Sequence, residues 1–366
     1  TNLPKQVMAF PDFPFTDEIK SYMTHSKVSK YLEDYTEHFS LRNLIQFNHQ
    51  VESVTPKSRD NNKDQWEVTV KDLTSTNKTT SIFDAVIVCN GHYSDPKIPS
   101  LPGLEEFPGR VIHSHQYRSP EDFAGKKVVV VGAGSSGVDI GIDLCGKAHR
   151  VYLSHHGNRL VSRLPGNLEE HHDMMHVEAD GTVVFQDGQR READVIIFCT
   201  GYLFTFPFLS DSCEITVKDN RITHLHKHLF NIRYPSMAFI GIPIRICPFP
   251  QFSLQARLVT AVLTGKSLLP SATEMLKDEE RDFQDKISNG IKHHYAHMLG
   301  PQQWEYNDEM TELAHCDPIH PIVKNLYQYA WSYRVNDLLN YKSMEFKATS
   351  NSTFEVVDYG APLVPQ

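Results

Sequence analysis

The sequence lacks the features that would assign it to several common classes of protein. It has no run of about 18 apolar residues, the length that a membrane-spanning helix requires, so no transmembrane anchor is predicted. Its 45 Asp and Glu residues outnumber its 36 Lys and Arg residues, which gives a formal net charge of −9. Because nucleic-acid binding depends on clustered positive charge, this balance argues against a nucleic-acid partner.

The six cysteines include no Cys-x-x-Cys pair, which excludes zinc ribbons and the redox-active dithiol of disulfide reductases. The histidines cluster at His224, His226 and His228, but no matching cysteine or carboxylate set accompanies them, so no metal site is predicted. No Gly-x-Ser-x-Gly motif of a serine hydrolase occurs. We expect a soluble protein, and the Asn-x-Thr sequons at 77–79 and 351–353 leave a cytoplasmic or a secreted location open.

What the sequence does contain is an internal repeat. Residues 83–91 and 192–201 each carry an Asp, a run of apolar residues, a Cys, a small polar residue and a Gly. The corresponding Asp and Cys residues are both 110 positions apart (194 − 84 and 199 − 89). Apolar runs of this kind indicate strands buried on both faces of a sheet. The 366 residues suit two domains at roughly 150 residues each, and we expect each repeat to close one nucleotide-binding domain.

A Gly-x-Gly-x-x-Gly motif, GAGSSG at residues 132–137, follows a run of four valines and precedes a predicted helix. In this setting the first glycine permits a tight turn, and the second lets the backbone approach a pyrophosphate. The third glycine lets the helix pack closely on the strand, and the helix N-terminus attracts the anion. The residues predicted to bind a dinucleotide here are Gly132, Gly134, Ser135, Ser136 and Gly137.

The identity of the dinucleotide depends on the end of the next predicted strand, residues 150–153, after which no carboxylate occurs before Glu169. A carboxylate at this place normally binds the ribose 2′-hydroxyl of NAD, whereas a 2′-phosphate favours positive charge and hydroxyl groups. We therefore expect NADPH rather than NADH, with a soft preference because histidine is often neutral near pH 7. The predicted phosphate ligands are Ser154, His155, His156 and Arg163, with Arg159 as an alternative to Arg163 and a surface role open for both arginines.

Directly upstream, Phe107, Gly109, His113 and Tyr117 form the pattern F-x-G-x-x-x-H-x-x-x-Y. With this motif the sequence resembles the flavin-containing monooxygenases, class B flavoproteins that oxygenate soft nitrogen and sulfur atoms. The related Baeyer–Villiger enzymes end the motif in Trp-Pro, whereas Tyr117 is followed by Arg118.

Two further matches extend the resemblance over roughly residues 1–270. Residues 1–15 resemble the family's T-N-x-P-K-E-x-M-x-F-P-D-F-P-F segment and depart from it at Gln6, and residues 239–257 resemble its return into the flavin domain. The resemblance implies an α/β fold with two interleaved Rossmann-like dinucleotide-binding domains, in which an NADPH domain is inserted into an FAD domain.

The domain boundaries that we expect divide the chain into three parts. These are a first piece of the FAD domain at 1–104, the NADPH-binding domain at 105–225, and a second FAD piece with a C-terminal helical region at 226–366. The family's N-terminal FAD glycine motif does not occur, so we expect that roughly 60 to 80 residues precede Thr1 in the native protein.

The resemblance implies a monooxygenase that uses FAD, NADPH and O2. NADPH would reduce the flavin, and a C4a-hydroperoxyflavin would convert an amine or sulfide to an N-oxide or S-oxide. By its place in the first segment, Asn2 is expected to hydrogen-bond this flavin and to help hold NADP⁺, because an amide donates and accepts without ionising. The further cofactor contacts implied are Asn90, Thr200, Gly201 and Gln255, with an ordinary turn role open for Asn90 and Thr200.

Several alternatives remain at this stage. Soluble relatives include insect enzymes that N-oxygenate pyrrolizidine alkaloids, so an alkaloid is one candidate substrate. The chain could instead be a Baeyer–Villiger or N-hydroxylating monooxygenase, which its product would reveal, or an inactive NADP-binding fragment or interaction module. The expected partners are a small-molecule amine or sulfide and O2, and whether the chain forms a homo-oligomer is left open.

Overall fold

The computed structural model describes residues 1–60 and 63–357. The helices are α1 (Lys5–Met8), α2 (His25–His38), α3 (Ser135–Leu144), α4 (Pro248–Leu263), α5 (Ala272–Ser288), α6 (Gln303–Ala314) and α7 (Pro321–Asn336). The strands are β1 (His49–Asp60), β2 (Lys63–Asp72), β3 (Lys78–Phe83), β4 (Val86–Val88), β5 (Asp95–Pro96), β6 (Arg110–His113), β7 (Lys127–Val131), β8 (Arg150–Ser154), β9 (Leu168–His171), β10 (Met174–Val177), β11 (Thr182–Phe185), β12 (Arg190–Glu192), β13 (Val195–Phe198), β14 (Tyr202–Leu203), β15 (Thr216–Lys218), β16 (Arg221–Thr223), β17 (Leu225–His226), β18 (Phe230–Asn231), β19 (Met237–Phe239), β20 (Glu345–Ala348) and β21 (Phe354–Val357).

A parallel five-stranded sheet, in the order β6-β13-β7-β8-β9, contains the glycine motif. Alternate residues of its strands belong to two separate cores. Val128 and Val130 pack with Leu144 of α3, whereas Val129 packs with Val183 and Phe185 of β11. Because α3 covers one face and the β10-β11-β12 sheet covers the other, the central strands are buried on both sides.

A second main sheet, in the order β17-β18-β19-β4, combines strands from before and after the five-stranded sheet in the chain. Strand β4 pairs in parallel with β19, and the other pairs are antiparallel. In the chain, the five-stranded sheet is therefore inserted between the strands of the second main sheet. The fold is α/β, as the sequence predicts. The boundaries at residues 104 and 225 stay a prediction.

The two copies of the repeat differ in burial. Strand β13 is central and entirely buried, which confirms the prediction for the second copy. For the first copy the prediction of burial on both faces is wrong, because Ile87 of β4 is 46% exposed while Val88 is 6% exposed. Strand β4 ends its sheet among the residues described, so only β19 borders it.

Short antiparallel strands connect the two main sheets. Strand β14 pairs with β5, with Tyr202 opposite Pro96 and Leu203 opposite Asp95. The Lys97 N–H donates to the Gly201 carbonyl at 2.9 Å and continues this pairing. Both passages of the chain between the sheets thus run side by side.

The remaining helices and strands pack around the second main sheet. Trp66 of the β1-β2-β3 sheet is fully buried with Phe239 of β19. Helix α4 packs on α6, and α1 packs on α7. Within residues 1–60 and 63–357, no helix is both long enough and apolar enough to cross a membrane.

Candidate dinucleotide-binding site

The glycine motif forms a tight turn at the carboxyl end of β7. Gly132 has a φ of +103°, a conformation that favours glycine, and its N–H donates to the Ser154 carbonyl at 2.8 Å. A β-carbon on Gly137 would lie 1.7 Å from the Gly132 carbonyl oxygen. A β-carbon on Gly134 would meet no atom within 4 Å. The turn therefore packs tightly at Gly137 and leaves open space at Gly134.

Helix α3 begins directly after this turn. Its N-cap is Gly134, so no side chain bonds the first-turn N–H groups. Unpaired N–H groups and the helix dipole make such an end favourable for a phosphate. Gly134 and Ser136 are exposed. The residues present therefore fit the pyrophosphate of a dinucleotide.

Two of the predicted phosphate ligands are bonded within the protein. The Ser154 hydroxyl donates to the His172 carbonyl and accepts from the Met174 N–H, both at 2.9 Å. The His155 ring accepts at Nδ1 from the Gly157 N–H, 3.1 Å away, and its Nε2 lies 2.7 Å from Glu170 Oε1. The structure therefore corrects the prediction that Ser154 and His155 contact the phosphate directly.

Three further candidate ligands of the 2′-phosphate lie on the surface of the same region. The His156 side chain is 63% exposed, and its Nδ1 lies 3.8 Å from Asp173 Oδ1. Arg159 and Arg163 are also exposed. These side chains are accessible to a 2′-phosphate, and their contact with it stays a prediction.

The F-x-G-x-x-x-H-x-x-x-Y motif attaches the edge strand β6 to its sheet and to α3. Phe107 is buried, and a β-carbon on Gly109 would lie 2.3 Å from the Asp194 carbonyl oxygen. Buried His113 accepts from the His115 N–H at Nδ1 and forms a capping box with Gln116. The Tyr117 hydroxyl donates to Asp143 Oδ2 of α3 at 2.6 Å. Burial raises the pKa of this phenol, and the Asp143 carboxylate raises it further. The motif thus positions the glycine turn.

The predicted contacts at the ends of the repeats lie beside the connection between the two sheets. The Asn90 amide donates to the Thr205 carbonyl at 3.2 Å, and the Thr200 hydroxyl donates to the Lys97 carbonyl. Gly201 has a φ of +81°, which suits its turn. These bonds fit the turn role that the sequence analysis left open for Asn90 and Thr200, and their contact with a cofactor stays a prediction.

The structure corrects the prediction for Gln255, which is fully buried between α4 and α6. Its Oε1 accepts from the Gly241 N–H at 3.0 Å, and its Nε2 donates to the Tyr306 hydroxyl at 2.9 Å. Tyr306 donates in turn to the Lys227 carbonyl at 2.9 Å. Both ends of the Gln255 amide are occupied, so it supports the core and does not face a cofactor.

Asn2, the predicted catalytic residue, is half-buried. Its two neighbours are fixed, because the Thr1 hydroxyl accepts from the Met23 N–H at 3.2 Å and Leu3 packs against the core cluster that contains Cys247 and Tyr341. Cys247 is the N-cap of α4. Asn2 therefore lies in a segment packed beside the start of α4, and its role stays a prediction.

The sequence analysis missed a buried histidine network beside a cavity of about 380 Å³. His228 and His297 contact each other through their Nδ1 atoms at 2.9 Å. His297 Nε2 accepts from the Ile222 N–H at 2.9 Å, and burial lowers the pKa of His297 to about 3. In the sequence, the alternating histidines at 224–228 gave the only sign of this network, because His297 lies 69 residues from His228.

Comparison with known proteins decides the family of this chain. A family model described as flavin-binding monooxygenase-like matches residues 1–178 and 164–329. The chain belongs to this family. It is therefore a flavin monooxygenase and an oxidoreductase, and the predicted cofactors, FAD and NADP(H), are those of the family.

Individual flavin monooxygenases are similar to this chain in sequence and in structure. Flavin-containing monooxygenase FMO GS-OX5 of Arabidopsis thaliana is 38% identical over 87% of this chain and 71% of its own length. The structure of S-allyl-L-cysteine S-oxygenase from Allium sativum is similar with a TM-score of 0.87 and 34% identity, over 94% of this chain and 80% of that chain. Tmm from Pelagibacter sp. strain HTCC7211 gives a TM-score of 0.84 and 26% identity, over 99% of this chain and 81% of that chain.

The described residues fit a flavin in part. Helix α4 begins without a side-chain cap, and because Pro248 and Pro250 carry no N–H and the Gln251 N–H bonds the Cys247 carbonyl, only the Phe249 N–H of its first turn is left for an acceptor among the described bonds. In the same part of α4, Gln251 is fully buried and its Oε1 has no hydrogen-bond partner, while its Nε2 donates to Asn307. These groups suit the polar edge of a flavin ring. The chain's one Gly-x-Gly-x-x-Gly motif is at 132–137.

Proposed function

We propose that this monooxygenase catalyses the NADPH- and O2-dependent oxygenation of soft nucleophiles, with the sulfur of a thioether as its preferred target and a tertiary amine as a slower one. The observation that carries the proposal is the similarity to S-allyl-L-cysteine S-oxygenase, at 34% identity over 94% of this chain. When bound, NADPH supplies a hydride to FAD, and the reduced flavin activates O2 for transfer to the substrate.

The glycine turn and α3 hold NADPH in this proposal. The open space at Gly134 admits the pyrophosphate to the first-turn N–H groups of α3. Tyr117 keeps α3 against β6 through its bond to Asp143. These residues bind and orient the coenzyme, and they take no part in proton transfer.

Asn2 is the residue to which we assign a role at the reacting centre. Its amide can donate a hydrogen bond without releasing a proton, and it lies in the segment packed beside the start of α4. For Asn2→Asp we expect NADPH oxidation at near the wild-type rate but at least about fivefold less sulfoxide per NADPH, the loss of about 1 kcal/mol of selective stabilisation. The measurement compares sulfoxide and hydrogen peroxide formed per NADPH. An unchanged sulfoxide yield would remove Asn2 from the reaction.

The proposed reaction is tested by isotope transfer. Purified protein supplied with FAD and NADPH is incubated under ¹⁸O2 with S-allyl-L-cysteine, with trimethylamine, and with cyclohexanone. Mass spectrometry then measures the labelled product. We expect one ¹⁸O atom in the sulfoxide, less N-oxide and no lactone.

Two controls make the result decisive. Replacing NADPH with NADH should lower the rate, and omitting the thioether should leave hydrogen peroxide as the product of NADPH oxidation. Lactone as the main product would identify a Baeyer–Villiger enzyme instead. Protein that retains no flavin after incubation with FAD, judged by its visible spectrum, and forms no product would favour the NADP-binding fragment.

A further inference from the structure

We propose that the buried pair His155 and Glu170 is a positioning pair that sets the preference for NADPH over NADH. It does so by fixing residues 156–160, here called the phosphate loop, and by holding the Glu170 carboxylate inside the protein. The inference rests on the proposed use of NADPH, because only that coenzyme carries a 2′-phosphate.

The hydrogen bonds show which atoms of the pair donate and which accept. The Gly157 N–H can only donate, so His155 Nδ1 accepts and the ring hydrogen lies on Nε2. His155 Nε2 therefore donates to Glu170 Oε1 over 2.7 Å. The same Oε1 accepts from the Leu160 N–H at 2.9 Å. One carboxylate oxygen and one imidazole together fix two backbone positions of the phosphate loop.

The position of the loop matches the part of the fold that distinguishes the two coenzymes. It begins two residues after Ser154, the last residue of β8, whose carbonyl accepts the Gly132 N–H of the glycine turn. The residue at the end of this strand normally contacts the ribose 2′ position. Between the two fixed N–H groups the loop exposes Asn158 and Arg159, and it begins with exposed His156.

Glu170 is the acidic residue that could reverse the preference. It lies on β9 opposite Leu153 of β8, one strand away from the ribose end. A carboxylate directed at the ribose would favour a 2′-hydroxyl and repel a 2′-phosphate. Here its side chain is only 10% exposed and faces two N–H donors. The pair thus keeps a negative charge away from the phosphate while it holds the cationic loop in place.

Glu169 provides a matched control on the same strand. Successive side chains of a strand point to opposite faces, and Glu169 binds Arg191 and lies 3.2 Å from His171 Nε2. It makes none of the described bonds to the phosphate loop. Its removal should therefore change stability without changing coenzyme preference.

The test measures equilibrium binding and needs no turnover. Dissociation constants for NADP⁺ and NAD⁺ are determined by titration calorimetry for the wild type, Glu170→Ala, Glu170→Gln and Glu169→Ala. For Glu170→Ala we expect NADP⁺ to bind about tenfold more weakly, with NAD⁺ changed by less than about twofold. Glu170→Gln should keep the wild-type ratio within about twofold, because its amide oxygen can still accept both N–H groups.

The outcomes separate the inference from the proposed function. Equal weakening of both coenzymes in Glu170→Ala, or the same loss of preference in Glu169→Ala, would overturn the role of the pair. If Glu170→Ala does not fold, His155→Ala gives the same comparison at the other half of the pair. A wild type that binds NAD⁺ as tightly as NADP⁺ would instead overturn the proposed use of NADPH.

Discussion

The strands β4 and β13 carry the same sequence pattern but occupy different environments. Each is an apolar run followed by a Cys and a turn glycine, and both glycines have positive φ, +71° at Gly91 and +81° at Gly201. Ile196 in β13 is fully buried, whereas Ile87 in β4 is 46% exposed. The pattern therefore determines the strand and its turn, and the neighbouring strands determine how much of it is buried.

This difference has an energetic counterpart. Strand β13 has a neighbour on each side, and the elements above and below it complete two cores. Strand β4 has β19 on one side only, among the residues described. A residue of the same type should thus contribute several times more stability in β13 than in β4.

The largest effect that we predict tests this contrast directly. Ile196→Ala should lower the free energy of unfolding by about 3–4 kcal/mol, because it leaves a cavity in a packed core. Ile87→Ala should cost less than about 1 kcal/mol. Urea unfolding of both variants measures the difference. Equal losses would mean that β4 is covered by another strand in solution.

A second prediction concerns acid stability of the region around the second sheet. Burial, and to a smaller extent Lys227, lower the pKa of His226 to about 4 from its ordinary value of 6.5. Between these values the unfolded chain binds a proton that the folded chain does not, so stability present above pH 6.5 is lost as the pH falls towards 4. The loss from this residue should be roughly 2–3 kcal/mol.

His226→Leu is the variant that tests this loss. Leucine cannot be protonated, so the free energy of unfolding should fall less steeply between pH 6.5 and 4 than in the wild type. Thermal unfolding at intermediate pH values measures the slope. Identical slopes in His226→Leu and the wild type would contradict the assignment.

The glycine turn offers a third, smaller contrast within the five-stranded sheet. Gly137→Ala would place a carbon 1.7 Å from the Gly132 carbonyl, so we expect a loss of about 2 kcal/mol. Gly134→Ala meets no protein atom and should retain wild-type stability. Both variants should bind NADP⁺ more weakly in calorimetry. A stable Gly137→Ala protein would show that α3 can move away from β7.

The smallest predicted effect compares two tyrosine hydroxyls, one in each region. Tyr117→Phe loses one partly exposed bond to Asp143 and should cost about 1 kcal/mol. Tyr306→Phe leaves the buried Gln255 amide without its acceptor and should cost somewhat more, about 1.5 kcal/mol. Chemical unfolding measures both losses. A larger loss of stability in Tyr117→Phe than in Tyr306→Phe would contradict the expectation that the buried hydroxyl contributes more.

The residues that sequence analysis placed correctly have local reasons for their structure. The turn at residues 132–137 follows from glycine spacing, and the strands on either side follow from apolar runs. The residues of the family motif also have local surroundings, since Phe107 and Gly109 contact the sheet that follows them and His113 is the last residue of its edge strand β6; the functional part of the motif stays a prediction.

The residues that it placed wrongly depend on partners distant in the chain. Ser154 and His155 were predicted to be surface ligands, but Glu170 of β9 and His172, the residue after β9, lie beside them and bind them. Gln255 is bound by Tyr306, 51 residues later, on a helix whose position the local sequence does not determine. Exposure at the end of a strand therefore cannot be derived from the strand alone.

The paired strands β5 and β14 have a mechanical consequence for the whole enzyme. The two connections between the sheets are hydrogen-bonded to each other, so the length of one is matched to the length of the other. Lengthening only one of them would shift the pairing of Tyr202 with Pro96 out of register.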